Sequence, residues 1–117
     1  MNIVFADDQA EIRSLLTDWF THKGHRVRCV GEIRDLLACL HDSPPDVICL
    51  DYLMPESPGL SIIETIQRLA PETSIVLMTG LVDKDIERYA LERGVDAFVM
   101  KPFSLPKLEK VLSAKAY

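Results

Sequence analysis

Asp46-Val47-Ile48-Cys49-Leu50-Asp51 is a run of four apolar residues between two acids, and it decides the fold. A continuous apolar run of this length predicts a strand that is buried on both faces of a sheet. Pro55 follows closely and prevents the strand from continuing in a hydrogen-bonded ladder. Open α/β sheets bind ligands at the carboxyl ends of central strands, so Asp51 is the first candidate for chemistry. Taken alone, Asp51 fits a solvated loop acid equally well.

Four other segments have the character of strands. Two are continuous apolar runs, at residues 3–6 and 97–100, and a third, residues 74–78, is apolar after its first residue, Ser74. The fourth, residues 26–29, alternates polar and apolar side chains, which is typical of a strand with one face in solvent. The alternating segment is therefore predicted to lie at an edge of the sheet.

Apolar residues recur at helical spacing after each predicted strand, and this predicts five amphipathic helices. We expect the first helix to begin at Glu11 and end at Gly24, and the fourth to run from about Asp83 to Arg93. The apolar stripes are formed by Ile12, Leu15, Leu16, Trp19 and Phe20 on the first helix, by Ile33, Leu36, Leu37 and Leu40 on the second, by Ile62, Ile63, Ile66, Leu69 and Ala70 on the third, by Ile86, Tyr89 and Ala90 on the fourth, and by Leu105, Leu108 and Leu112 on the fifth. On the first and fourth helices we expect every residue of the stripe to face the core.

Strict alternation of strands and helices predicts an α/β fold of the flavodoxin-like (βα)5 kind, a doubly wound parallel sheet with right-handed crossovers. In the strand order 2-1-3-4-5 only the second and fifth strands are edges, which agrees with the alternating second strand. That order places the ligand-binding crevice between the first and third strands. We expect residues 1–117 to form a single domain with no output domain in this chain.

Composition narrows the class of function. The net charge of −5 argues against direct nucleic acid binding, which needs clustered Lys and Arg. The chain has no apolar run near about 18 residues and no signal peptide, so we expect a cytoplasmic protein that does not contact a membrane. The cysteines lack CxxC spacing, which argues against a disulfide framework or a zinc site. The histidines lack ligand spacing, and we expect them at the surface.

Functional groups follow four of the five predicted strands. Asp7 and Asp8 follow the first strand, Asp51 ends the third, Thr79 follows the fourth and Lys101 follows the fifth. Two carboxylates about 5 Å apart repel by roughly 3 kcal/mol at an effective dielectric of 20, and Mg²⁺ relieves such repulsion by taking oxygen ligands. Thr79 offers a hydroxyl donor and Lys101 a charge that suits phosphate. Each group alone fits a turn, a helix cap or the surface, but together they predict phosphoryl transfer to a carboxylate.

These motifs resemble the receiver domain of two-component response regulators. The resemblance rests on Asp7-Asp8, Asp51 with Met54-Pro55 and Gly59, Thr79-Gly80, and Lys101-Pro102-Phe103, and it extends strand by strand over the whole chain. It implies a phosphorelay switch whose phosphoryl donor is a histidine kinase or a phosphotransfer protein. The domain would catalyse its own phosphorylation and dephosphorylation rather than act as a turnover enzyme.

The resemblance also implies a role for each residue of the motif. Asp51 is the phosphoacceptor, and Thr79 and Lys101 bind the phosphoryl oxygens. The Mg²⁺ ion is held directly by Asp8, by Asp51 and by the backbone carbonyl of Leu53, and mostly through water by Asp7. The peptide between Lys101 and Pro102 is expected to be cis.

The implied readout passes from Thr79 to Phe98 and then to the surface of the fourth helix, fifth strand and fifth helix. The chain departs from the commonest family pattern at Phe98, where the family often has Tyr, and at Gly80, where it often has Ala. Leu53 and Leu81 add apolar bulk beside the pocket, which leaves the lifetime of the phosphoryl group open. The partner contacts expected on the readout surface are Lys84, Arg88, Leu91 and Lys107.

Two other classes of function fit the sequence less well. An aspartate-nucleophile phosphohydrolase of the haloacid-dehalogenase kind needs a second acid two residues past its nucleophile, and Leu53 occupies that position. A non-phosphorylated scaffold of the same fold is expected to have lost an acid, the hydroxyl or the lysine, and this chain keeps them all. The kinase, the output partner and the oligomeric state are not indicated by the sequence.

Overall fold

A computed structural model of the chain describes residues 1–52, 54, 61–80, 84–101 and 104–115. Several residues named above lie outside the described residues: Leu53, Pro55, Gly59, Leu81, Asp83, Pro102 and Phe103. The metal-binding carbonyl of Leu53, the cis peptide at Pro102 and the start of the fourth helix at Asp83 therefore stay predictions.

The described residues form five strands and five helices in strict alternation. The strands are β1 (Asn2–Ala6), β2 (Arg26–Val30), β3 (Val47–Asp51), β4 (Ser74–Thr79) and β5 (Ala97–Met100). The helices are α1 (Ala10–His22), α2 (Ile33–Asp42), α3 (Ser61–Leu69), α4 (Lys84–Glu92) and α5 (Leu105–Lys115). All neighbouring strands are parallel, in the order β2-β1-β3-β4-β5. The predicted fold and strand order are confirmed.

Helices cover both faces of the sheet, which explains why β3 is apolar without alternation. All of its residues are buried. Val47 and Cys49 pack in one core cluster with α1 and α5, whereas Ile48 and Leu50 pack in the other with α2, α3 and α4. Each face thus removes apolar side chains from water, which stabilises the fold by about 1.5–3 kcal/mol per large side chain.

Strand β2 lies at an edge, as its alternating sequence predicts. Arg26 and Arg28 are exposed, whereas Val27 and Cys29 are partly buried against the α1–α5 face. In the described part of the chain, no helix is long and apolar enough to span a membrane.

Two expectations about the helices are wrong. Leu15 and Tyr89 were expected to face the core, but they are 49% and 45% exposed. At about 100° per residue, Leu15 lies about 120° around α1 from the midpoint of the buried Leu16 and Phe20, outside the face that contacts the sheet. On α4 only Ala90 is buried, and the ring of Tyr89 instead lies beneath the Arg93 guanidinium, 4.2 Å from ring centroid to Cζ.

Helices α1 and α4 both end at a glycine with positive φ, as the sequence predicts. Gly24 has φ +92° and Gly94 has φ +97°. After α1, the N–H of Gly24 donates to the Thr21 carbonyl and the N–H of His25 to the Phe20 carbonyl, a Schellman arrangement. The same pair of bonds follows α4 and turns the chain into β5.

Candidate functional site

The acids of the site meet because β1 and β3 are adjacent in the sheet. Their register pairs Ala6 with Leu50, so Asp7 and Asp51 follow at the same carboxyl edge. The N–H of Asp7 donates to the Val30 carbonyl at 3.0 Å, which extends the β1–β2 ladder by one residue. This is the crevice that the predicted strand order requires.

Asp7 is fully buried, with an exposed fraction of 0%, and each of its oxygens is engaged. Oδ1 accepts the N–H of Gln9 at 2.9 Å, and Oδ2 accepts the Lys101 ammonium at 2.6 Å. Its backbone carbonyl accepts Nη1 of Arg13 at 2.9 Å. Burial of a carboxylate is costly unless it is paired and hydrogen-bonded, and Asp7 meets both conditions.

Lys101 joins the two buried acids. Its Nζ lies 2.6 Å from Asp7 Oδ2 and 3.2 Å from Asp51 Oδ2, and its side chain is only 18% exposed. Burial acts to lower the pKa of Lys101, but the hydrogen bond to Asp7 and the charges of Asp51 and Asp7 outweigh it and raise the pKa. The ammonium group therefore stays charged at neutral pH.

Asp8 completes a group of three carboxylates and is the exposed member of that group. One oxygen from each of Asp7, Asp8 and Asp51 lies within 4.8 Å of the other two. Lys101 contributes a single positive charge to three acids, so the cluster keeps a net negative charge. A hard divalent cation with oxygen ligands fits this donor set.

Thr79 ends β4, the strand next to β3, and is 1% exposed. Its carbonyl accepts the N–H of Lys101 at 2.8 Å, which fixes the position of the lysine backbone. In the register of β4 and β5, Thr79 pairs with Met100 and Leu77 pairs with Phe98. Phe98 is partly buried against the core cluster of α2, α3 and α4, on the same sheet face as Leu77.

Cys49 lies two residues before Asp51 and is fully buried. Burial is the main cause that raises the pKa of its thiol. Cys49 is therefore a neutral core residue, and the reactive groups at this edge of the sheet are carboxylates.

The structure brings Asp7, Asp8, Asp51 and Lys101 into one cluster and places Thr79 on the adjoining strand end. Sequence reasoning missed the Arg13 contact with Asp7. A signal was present, because Arg13 precedes the buried Leu16 and Phe20 by three and seven residues and so lies on the inward stripe of α1. A charged residue on such a stripe needs a polar partner.

The expectation that all histidines lie at the surface is wrong for His25. Its Nε2 lies 2.8 Å from a carboxylate oxygen of Glu109 on α5, and its ring lies 5.8 Å from that of Phe20. The pair joins the end of α1 to α5, a contact between residues distant in sequence that helical periodicity does not reveal.

Comparison with known proteins places these features in a family. Residues 3–113 match the sequence profile described as "Response regulator receiver domain". Over 110 residues, or 94% of this chain, it is 34% identical to the DNA-binding transcriptional regulator NtrC of Azospirillum brasilense and spans 23% of that protein. It is 31% identical over 112 residues to the probable transcriptional regulator ycf27 of Guillardia theta, of which it spans 44%. The chain thus covers less than half the length of these relatives.

Solved structures of response regulators have the same fold as this chain. The receiver domain of NtrX from Brucella abortus superposes with a TM-score of 0.88 at 28% identity, covering 97% of each chain. A response regulator from Burkholderia pseudomallei, solved with a phosphorylated aspartic acid, calcium ion and citrate, gives a TM-score of 0.89. That comparison covers 98% of this chain and 68% of the other at 23% identity, and it shows the shared fold alone. The profile match, the relatives and the five-stranded parallel fold together show that this chain belongs to the response regulator receiver domain family of two-component signalling.

Proposed function

We propose that this domain is a Mg²⁺-dependent switch that accepts a phosphoryl group on Asp51. The observation that carries the proposal is the difference between the two buried acids. Asp7 is 0% exposed and lies 2.6 Å from the Lys101 ammonium, whereas Asp51 is 6% exposed and lies 3.2 Å from it. Asp51 is thus the more exposed of the two buried acids and the one that Lys101 holds less closely, which supports its role as the phosphoacceptor.

The transfer that we propose is a displacement at phosphorus. A carboxylate oxygen of Asp51 attacks the phosphorus of a phosphohistidine on a histidine kinase or phosphotransfer protein, and a P–O bond forms. The P–N bond breaks, its electron pair leaves with the imidazole, and Asp51 becomes an acyl phosphate. Lys101 is already charged and 3.2 Å from Asp51, so it can bind an oxygen of the transferred group.

The residues that would hold the cation are Asp8 and Asp51 directly and Asp7 mostly through water. The exposure of Asp8 and the complete engagement of Asp7 support this division. When bound, Mg²⁺ supplies positive charge that neutralises the acids and the phosphoryl oxygens. The predicted fourth protein ligand, the Leu53 carbonyl, lies outside the described residues.

We propose that Thr79 and Phe98 transmit the change to the surface formed by α4, β5 and α5. Thr79 would turn its hydroxyl toward a phosphoryl oxygen, and Phe98 would move further into the space behind it. Support comes from their positions on adjacent strands and from the partial burial of Phe98. Three large apolar side chains are exposed on or beside α4 and β5: Tyr89, Leu91 and Met100. Lys84, Arg88 and Lys107 are exposed on the same surface and add positive charge for a partner.

Residues 1–117 would then act as a single receiver domain in the cytoplasm. The two transcriptional regulators named above are longer than this chain. We propose that this domain likewise signals to an output partner or effector. The domain would contact neither nucleic acid nor membrane directly, in keeping with the net charge of −5.

Covalent trapping tests the proposal. The protein is incubated with acetyl phosphate and Mg²⁺, reduced with borohydride, and the modified residue is mapped by mass spectrometry. We expect one modified residue, Asp51, and no modification in EDTA. Asp51→Asn removes the nucleophile with little change in shape and is the matched control. Labelling of Asp51→Asn at the wild-type level would refute the assignment.

A further inference from the structure

Arg13 reaches from α1 to the acidic edge of the sheet. It lies on the inward stripe of α1 and is partly buried, yet its guanidinium meets no carboxylate among the contacts described. Nη1 instead donates to the backbone carbonyl of Asp7 at 2.9 Å. This hydrogen bond indicates that Arg13 acts on the position of the Asp7 carbonyl.

The carbonyl in question belongs to the peptide that joins Asp7 to Asp8. A peptide unit is planar, so the Asp7 oxygen, the Asp8 nitrogen and the Asp8 Cα move as one body. The N–H of Asp7 is already fixed by the Val30 carbonyl at 3.0 Å. Arg13 therefore fixes the plane from which the Asp8 side chain departs, although it touches neither that side chain nor Asp51 in the contacts described.

Gly31 provides an independent observation. It precedes α2, and a Cβ built on it would lie 2.7 Å from Nη1 and 3.1 Å from Cζ of Arg13. Its φ does not lie in the left-handed region, so its backbone does not require glycine. The space above Gly31 is instead occupied by the Arg13 guanidinium.

The side of α1 that carries Arg13 is also tied to β2. The Arg13 carbonyl accepts the Cys29 thiol at 3.5 Å, and that sulfur accepts the Thr17 hydroxyl at 3.0 Å. Both ends of the arginine are thus held, the backbone by β2 and the guanidinium between Asp7 and Gly31.

We propose that Arg13 is a positioning residue that holds the Asp7–Asp8 peptide so that Asp8 is presented to the divalent cation, and that Gly31 keeps the space it needs. The inference rests on the proposed function, because it assigns a means of orienting one ligand of that site. Residues that orient metal ligands without touching the metal typically contribute 10–100-fold to affinity.

Gly31→Ala and Arg13→Met test the proposal, with Mg²⁺ affinity measured by calorimetry. We expect each change to weaken Mg²⁺ binding about 10-fold, and the double variant to be no weaker than Arg13→Met alone, because both remove the same contact. Arg34→Met, which removes an exposed arginine on α2, is the matched control and should bind like wild type. Arg13→Lys keeps a donor and should recover part of the affinity.

Two further measurements separate positioning from simple loss of structure. In EDTA, the amide resonance of Asp8 should shift in Gly31→Ala while thermal unfolding stays close to wild type. At saturating Mg²⁺, acetyl phosphate should modify the variants at nearly the wild-type rate. If Gly31→Ala binds Mg²⁺ with wild-type affinity and its Asp8 amide resonance does not shift, the inference about Arg13 is overturned and the proposed function is not. Absence of Mg²⁺ binding by the wild type would overturn the proposed function, and the inference with it.

Discussion

Lys101 and Asp7 form the shorter ion pair of the site, with 2.6 Å between Nζ and Oδ2, although they are 94 positions apart in the chain. The same ammonium lies 3.2 Å from Asp51. The uneven distances mean that Lys101 chiefly balances the charge of Asp7, which is the less exposed of the two acids.

Replacing Lys101 by Met should destabilise the protein in EDTA by about 3 kcal/mol, because Asp7 would remain buried without a cation. Chemical unfolding of both proteins measures this difference. The raised pKa of Lys101 predicts how its contribution to the free energy of unfolding depends on pH. That contribution is complete below the ordinary lysine pKa of 10.5 and is lost as pH rises through the higher pKa of Lys101 in the folded protein.

The wild-type advantage over Lys101→Met should therefore be constant from pH 7 to about pH 10 and shrink above it. Lys107→Met, which removes an exposed ammonium, is the control and should show no such dependence. A Lys101→Met protein as stable as wild type at pH 7 would contradict the ion-pair argument.

Asp8→Asn should weaken Mg²⁺ binding more than Asp7→Asn, because Asp8 is exposed for direct contact and Asp7 is engaged by Lys101 and Gln9. Stability should show the reverse order, since of these two acids Asp7 is the buried one and is paired with Lys101, whereas Asp8 is exposed. Calorimetric titration with Mg²⁺ and thermal unfolding in EDTA measure the two effects. Equal loss of Mg²⁺ affinity in both variants would refute the division of roles.

Thr79→Ala should disconnect the phosphoryl site from the surface formed by α4, β5 and α5. Backbone amide shifts with and without beryllofluoride, a phosphoryl mimic, report the coupling. In the wild type we expect the largest changes away from the pocket on that surface, and in Thr79→Ala their loss. Phe98→Tyr adds a hydroxyl that disfavours the inward position and should enlarge the shift on activation. Changes centred on α1 and α2 would show that the coupling runs elsewhere.

His25 and Glu109 should stabilise the fold jointly. A double-mutant cycle with His25→Ala and Glu109→Ala at one fixed pH should give a coupling free energy of about 0.5–1.5 kcal/mol. The control is the pair of Glu32 and Arg34, whose charged groups lie 2.7 Å apart but whose side chains are 51% and 80% exposed. That pair should show no measurable coupling. Equal coupling in the two cycles would contradict a structural role for His25.

Gly94→Ala should cost more stability than Gly24→Ala, although both residues have positive φ. A Cβ on Gly24 meets nothing within 4 Å, whereas on Gly94 it would lie 2.8 Å from Nε2 of Gln67. That Nε2 donates to the Arg93 carbonyl, and the added methyl group would break this hydrogen bond. We therefore expect Gly94→Ala to lose about 1 kcal/mol more unfolding free energy than Gly24→Ala. In a Gln67→Ala background the excess should disappear. An excess that persists there would assign the cost to the backbone alone.

Strand order and the acidic edge were predictable because each follows from a local pattern combined with one topological rule. The alternating residues 26–29 mark an edge strand, and the order 2-1-3-4-5 leaves β5 as the other edge although its sequence is a continuous apolar run. Once β1 and β3 are neighbours, the acids that follow them must meet. The rule needs no knowledge of side-chain direction.

Side-chain direction is what the sequence left undetermined. Leu15 and Tyr89 belong to apolar stripes, but how much of a stripe is covered depends on the rotation of the helix against the sheet. The Arg13 and His25 contacts depend on where Gly31 and Glu109 arrive from other parts of the chain. Such positions follow from the packed fold, and periodicity within one helix does not encode them.

The long separation of Asp7 and Lys101 bears on the order in which a ribosome delivers the site. Asp7 leaves the exit tunnel early, whereas its cation arrives only with the end of β5. Until Lys101 is present, burying the Asp7 carboxylate costs desolvation free energy that no ion pair offsets. We therefore expect the contact between β1 and β3 at this edge to stay hydrated and to form only reversibly. Completion of the acidic pocket is therefore tied to the last strand of the domain, and we expect that a partly synthesised chain does not present the proposed phosphoryl acceptor in its finished form.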